Sequence, residues 1–197
     1  MIKVDIHKKL PIFKFNLKDK IEDNASKIIE EALEQRILED PLNPYNFSIQ
    51  SQFQSLLYQQ LFLACNKIFK NQPKIIDSNY KMWCHISDKT FNKTCWHNHI
   101  TTSTINAVIY IQTVAEAGVD FKGFYFEPKP FDLIVFPNYL DHKPRTAKEK
   151  RQKISLNLEL LCKEEAKNLF KHDNIKEKVN WKIDIYHIIS YKYNRKL

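Results

Sequence analysis

The sequence predicts an α+β domain in which two N-terminal helices buttress an antiparallel barrel or sandwich, and three observations carry that prediction. Apolar residues recur every three or four positions in the first third of the chain. From Ile75 to Leu161 the pattern changes to short β-branched and aromatic runs separated by turn signals. No repeat, low-complexity linker or composition break divides the chain, and 197 residues suit a single domain with one core. The expected organisation is therefore one domain over 1–197, helical in 1–72, with a barrel core at about 75–161 and an extension over 162–197.

The first predicted helix is Leu17–Glu39, with Ile21, Ala25, Ile28, Ile29, Ala32, Leu33 and Ile37 on one face and Pro41 and Pro44 stopping it. A second is expected from Ser48 to Lys70, burying Phe53, Leu56, Leu57, Leu61, Phe62, Cys65, Ile68 and Phe69, and ending at Asn71-Gln72-Pro73. Predicted strands are Tyr80–Ser87, Thr94–Ile100, Ile105–Thr113, Phe121–Phe126, Leu133–Phe136 and Lys153–Leu160. Turn signals at Asp88-Lys89, Ala117-Gly118, Glu127-Pro128 and Pro137-Asn138 separate them. Cys162–Lys178 reads as a charged helix and Trp181–Tyr193 as an edge strand.

Composition excludes several function classes. The chain has 2 glycines, Gly118 and Gly123, too few for a P-loop or a dinucleotide-binding turn. No apolar run approaches a membrane span. The 31 Lys+Arg against 23 Asp+Glu leave a formal charge of +8, compatible with an anionic partner, but the excess is spread over Lys143–Lys153 and the last third of the chain. Cys65, Cys84, Cys95 and Cys162 form no C-x-x-C pair, and Met1–Leu17 mixes charged with apolar residues, unlike a signal peptide. A cytoplasmic setting with reduced thiols is expected, the host cytoplasm if the protein is viral.

Trp96-His97-Asn98-His99 is the most informative segment. On extended backbone His97 and His99 point the same way, so both imidazoles reach one metal ion. Leu133–Pro137 then gives a buried strand and a turn, His142 a third histidine, and Arg151 and Lys153 a basic start to another strand. Cys84-His85 with Cys95-x-His97 fits no zinc spacing, and Cys84 and Cys95 read as small core residues. Trp83, Trp96, Phe124, Phe126 and Phe136 read as barrel core, with Trp83 or Trp96 near the site; Ser155 and Asn157 share Lys153's face, and His7, His172 and His187 read as surface residues.

In this order, His97-x-His99, a strand carrying Tyr110, Phe136-Pro137, His142 and Lys153 resemble the Fe(II)- and 2-oxoglutarate-dependent dioxygenases. The small prolyl-hydroxylase-like members found in phages and marine bacteria look most similar, over Trp83 to Leu158. The resemblance implies a double-stranded β-helix, the jelly-roll or cupin-like barrel. It implies that His97 and His142 ligate Fe(II), that Lys153 pairs with the distal carboxylate of 2-oxoglutarate with Arg151 as the fallback, and that Tyr110 hydrogen-bonds the same carboxylate. The implied reaction hydroxylates an unactivated C–H bond of a small molecule or peptide, such as a peptidyl or free amino acid, consuming O2 and converting 2-oxoglutarate to succinate and CO2. Ascorbate would be an accessory reductant, and no catalytic residue beyond the metal site is implied.

The sequence departs from the family at position 99, which is usually Asp or Glu. His99 then serves as a third ligand, or it is a substrate or outer residue and the iron takes water, a halide or an acid from Asp120, Glu127 or Asp141. A second departure is Phe131-Asp132, where the family often has glycine before the strand. The competing functions are a three-histidine dioxygenase that needs no 2-oxoglutarate, and a non-catalytic cupin-like module holding an anionic partner such as nucleic acid.

Overall fold

A computed structural model of the chain describes residues 10–39, 46–48, 53–76, 81–88, 94–148 and 150–176. In chain order its elements are β1 (Phe13–Asn16), α1 (Lys18–Ile21), α2 (Ala25–Glu39), β2 (Asn46–Ser48), α3 (Gln54–Ile68), β3 (Lys81–Ser87), β4 (Ile105–Gln112), β5 (Val119–Phe121), β6 (Phe124–Phe126), β7 (Asp132–Pro137), β8 (His142–Pro144), β9 (Lys153–Leu160) and α4 (Ala166–Leu169). The strands form a six-stranded sheet in the order β1-β7-β4-β9-β3-β2 and a three-stranded sheet in the order β6-β5-β8. Every pairing is antiparallel. The α+β expectation is met as helices with two separate antiparallel sheets.

Side chains alternate across the large sheet, and the two faces have different chemistry. Met82, Cys84 and Ile86 of β3, Ile105, Ala107 and Ile109 of β4, Leu133 and Val135 of β7, and Ile154, Leu156, Leu158 and Leu160 of β9 share one core cluster with Ile21, Ile28 and Ala32 and with Leu57, Leu61, Ala64 and Ile68 of α3. The opposite face carries Trp83, His85, Tyr110, Lys153, Ser155, Asn157 and Glu159. Part of it packs on the small sheet, where Tyr110, Ile134 and Phe136 meet Val119, Phe121 and Phe126. One face therefore drives folding by apolar burial while the other, also covered, is left to build a site.

The two glycines both serve the small sheet. Gly123, with φ +87°, makes the turn between β5 and β6, and a Cβ on Gly118 would lie 1.9 Å from the Phe126 carbonyl oxygen. Phe131 sits in the left-handed region at φ 69°, so the backbone has the shape that glycine favours although the residue is Phe. Its N–H donates to Tyr110 O at 2.6 Å and its carbonyl accepts from Leu17 N at 2.8 Å. Asp132, 1% exposed, accepts from Lys129 N at 2.8 Å, Asn16 Nδ2 at 3.2 Å and Lys14 Nζ at 2.9 Å, tying β1 to β7.

Several expected elements differ. The first helix is interrupted by a 3-10 turn over Glu22–Asn24, and Ser48, the expected start of the second, pairs with β3 in β2 while α3 begins at Gln54. Thr94–Ile100 is not a strand: its β-bridging is limited to His97, which bridges His142. Phe121–Phe126 is a hairpin rather than one strand, since Gly123 turns it. Beyond Cys162, among the described residues, the helix is limited to α4 and a 3-10 turn at His172–Asn174, and Trp181–Tyr193 lies outside them. Trp96 and Cys95 are exposed, so neither is a core residue, whereas Cys84 is fully buried. Among the described residues no helix is long and apolar enough to cross a membrane.

Candidate functional site

His97, His99 and His142 converge. One ring nitrogen from each lies within 4.8 Å of the others, and ring centroids are 4.3 Å apart for His97 and His142 and 5.1 Å for the other two pairs. Backbone pairing sets this up. His97 N donates to His142 O at 3.0 Å and His142 N to His97 O at 2.9 Å, while His99 N donates to Asn138 O at 2.9 Å. His97 and His99 therefore point their amides one way and their rings together, as a two-residue period requires, although the segment forms only a single bridge. β8 holds His142 opposite Phe121 in the small sheet, with its ring against Phe136.

Each imidazole has its Nδ1 committed to an oxygen. His97 Nδ1 is 3.1 Å from Cys95 O, His142 Nδ1 is 3.0 Å from Leu140 O, and His99 Nδ1 is 2.6 Å from Glu159 Oε1. An Nδ1–H donated to each oxygen leaves Nε2 of every ring as the lone-pair nitrogen, the arrangement of metal-ligating histidines. Burial keeps two of them neutral: the His142 imidazole is pushed down to about 3 and that of His97 is also lowered, in each case chiefly by desolvation. Three imidazoles on one side of a cavity form a donor set that suits iron, as well as zinc, copper or nickel.

A cavity of about 460 Å³ opens beside the cluster. The three histidines line it together with Trp83, His85, Tyr110, Lys153, Ser155 and Asn157. Lys153, 1% exposed, donates from Nζ to Arg145 O at 2.6 Å, and among the described residues no carboxylate pairs with it. Burial pulls its ammonium down to about 7. The Arg145 carbonyl is held in turn, because its guanidinium forks onto Asp120 at 2.6 and 2.7 Å and stacks 3.8 Å over Tyr125. The Tyr110 phenol is shifted up by burial and stays protonated, a donor in the cavity wall. A buried cation and a phenol donor beside a three-nitrogen cluster match a dicarboxylate that also reaches a metal.

Not every expected residue joins the site. Arg151 is exposed, lies outside β9 and does not line the cavity. The acids considered as a third ligand are engaged elsewhere: Asp120 with Arg145, Glu127 with the Tyr125 hydroxyl and Glu116 N, and Asp141 with Lys122 at 2.5 Å and Asn98 at 2.9 Å. Sequence reasoning missed His85 and Glu159. Both were readable from parity: Glu159 falls on the Lys153, Ser155, Asn157 face of β9, and His85 falls opposite Ser155 on β3. Burial and Lys153 push the His85 imidazole down to about 3, with His97 contributing.

No protein-family model and no curated protein matches the chain in sequence. Solved structures do match. A prolyl 4-hydroxylase structure from Phytophthora capsici aligns with TM-score 0.55 at 9% identity over 79% of this chain; the chain spans 60% of that protein. A Pseudomonas putida prolyl-4-hydroxylase aligns with TM-score 0.54 at 13% identity, covering 79% of this chain and 94% of the other. A viral collagen prolyl hydroxylase from Paramecium bursaria Chlorella virus-1, solved as its 2-oxoglutarate complex, aligns with TM-score 0.54 at 12% identity over 78% and 96% of the two chains. The resemblance carried by the motif order is thus met in three dimensions: this chain shares the fold of the prolyl 4-hydroxylases.

Proposed function

We propose that the protein is an Fe(II)- and 2-oxoglutarate-dependent dioxygenase of the double-stranded β-helix type, which hydroxylates an unactivated C–H bond of a small molecule or peptide. The observation that carries this reading is the pairing, in one cavity, of three imidazoles whose Nδ1 atoms are all tied off with a buried lysine that has no carboxylate partner among the described residues. His97, His99 and His142 would hold the iron through Nε2. Lys153 would take the distal carboxylate of 2-oxoglutarate as a point charge, and Tyr110 would donate its hydroxyl to the same group. When bound, iron and 2-oxoglutarate supply the O2 chemistry that couples hydroxylation to loss of CO2 and formation of succinate. The protein's part is orientation, exclusion of water by the two sheets, and a low-polarity wall that strengthens the lysine–carboxylate attraction.

Anaerobic addition of Fe(II) and 2-oxoglutarate tests this. The expected result is a visible charge-transfer band that decays on admission of O2 with release of succinate. His97→Ala and His142→Ala should each lose the band. Iron binding without a band would leave a metal site of another kind, and no iron binding would overturn the oxygenase reading.

A further inference from the structure

We propose that Glu159 is a positioning residue for the metal centre, supplying from behind His99 the negative charge that an Asp or Glu ligand would otherwise bring. The inference rests on the oxygenase reading and goes one step further: the chain keeps a carboxylate at position 99's corner of the centre but moves it outward by one imidazole. Glu159 is 3% exposed, lies on β9 between Lys81 of β3 and Asn106 of β4, and places Oε1 2.6 Å from His99 Nδ1. The Thr102 hydroxyl donates to the same oxygen at 3.0 Å and fixes its direction. Among the described residues no lysine or arginine pairs with Glu159, and His99 is the ionisable group in direct contact with it, with His97 near enough to feel its charge.

His97 and His142 lean on backbone carbonyls, which are neutral; His99 alone leans on an acid. A carboxylate behind an imidazole locks the ring's tautomer, aims Nε2 and makes it a more basic ligand. It also sets the formal charge. A divalent ion with three neutral imidazoles carries two positive charges; with Glu159 one hydrogen bond away, the group as a whole carries one, as a centre of two histidines and one carboxylate does.

Anaerobic titration with Co(II), read by the intensity of its visible d–d bands, tests the proposal in four proteins: wild type, Glu159→Gln, His99→Asp and the double variant, each checked for folding by circular dichroism. Glu159→Gln should weaken Co(II) binding about 10- to 100-fold when residue 99 is His. With Asp at 99 the carboxylate is already a ligand, and the same change should cost less than about twofold, a loss that depends on residue 99 and that a general packing role would not produce. An equal loss in both backgrounds, or none with His99, overturns the proposal while leaving the metal centre standing. Failure of wild type to bind Co(II), or binding indifferent to His142→Ala, overturns the oxygenase reading and this inference with it. Should Glu159→Gln not fold, Thr102→Ala carries the test, with a smaller loss confined to the His99 background.

Discussion

A buried ammonium bonded to a carbonyl and not to an acid costs a folded protein free energy until something anionic joins it, and among the described residues Lys153 is in that position. Burial lowers its pKa from 10.5 to about 7. The unfolded chain holds that proton up to about 10.5 and the folded chain only to about 7, so stability should rise with pH across this window. Lys153→Met should accordingly raise the stability of the ligand-free protein by about 1–3 kcal/mol at pH 7. The gain should shrink above pH 7 and vanish near 10.5, as urea titrations at several pH values would show. The same substitution should abolish 2-oxoglutarate binding and leave Co(II) binding intact. In the wild type, 2-oxoglutarate affinity should fall about tenfold per unit as pH rises above 7, because the anion needs the charged lysine, and calorimetry in buffers of different ionisation enthalpy should record proton uptake. An affinity flat from pH 7 to 9 would sink this account. Lys153 was legible in the sequence because a basic residue opens a strand at the position where the resemblance places a cation. Parity puts Glu159 on the same face, but an acid near a strand's end reads as solvent-facing until the segment carrying His99 and Thr102 is known to fold over it.

At the level of elements, the small sheet is the weak point in holding the site. β8 is three residues long, carries His142, and is aligned by β5, whose entry at Gly118 leaves no room for a side chain. Gly118→Ala would drive a Cβ to 1.9 Å from the Phe126 carbonyl, a backbone atom that cannot swing away. We expect a loss of about 1–3 kcal/mol in stability, measured by thermal unfolding, together with weaker Co(II) binding because β5 and β8 shift together. Unchanged metal affinity would mean that the His97–His142 bridge alone positions the ring. Element legibility followed the strength of the local pattern. β9 was predicted with its observed ends, Lys153 and Leu160, because eight residues alternate with β-branched and leucine side chains on a covered face. β1, β2 and β8 were not predicted, since strands of three or four residues carry too little periodicity and exist through their partners. The His97 segment was right in the direction of its side chains and wrong as a strand for a related reason. Alternation needs only extended backbone, whereas a strand needs a continuous neighbour, and His142 is the one residue that bridges it.

On the scale of the whole molecule, the three histidines do not belong to one sheet. His142 is part of the small sheet and His97 is bridged to it, whereas His99 is fastened through Glu159 to the centre of the large one. Lys153, at the other end of β9, reaches over to the carbonyl of Arg145, the residue that follows β8. An ion bound by all three imidazoles therefore ties two separately hydrogen-bonded sheets together, and 2-oxoglutarate would add a second tie near Lys153. A ligand that binds only the folded state stabilises it by about 2.7 kcal/mol at a hundred times its dissociation constant. For a domain of this size that is a rise of about 5–10 °C in Tm. Mn(II), a redox-quiet substitute for Fe(II), should give a rise of that order, 2-oxoglutarate should add to it only when the metal is present, and a chelator should reverse both. Hydrogen exchange gives the spatial form of the prediction: the His97 and His142 amides, which bond each other's carbonyls at the seam, should gain more protection than amides inside β9, which both sheets already cover. Uniform protection along the chain would mean that the ion stabilises the fold without joining its halves, and a 2-oxoglutarate shift without metal would mean that Lys153 recruits the anion unaided.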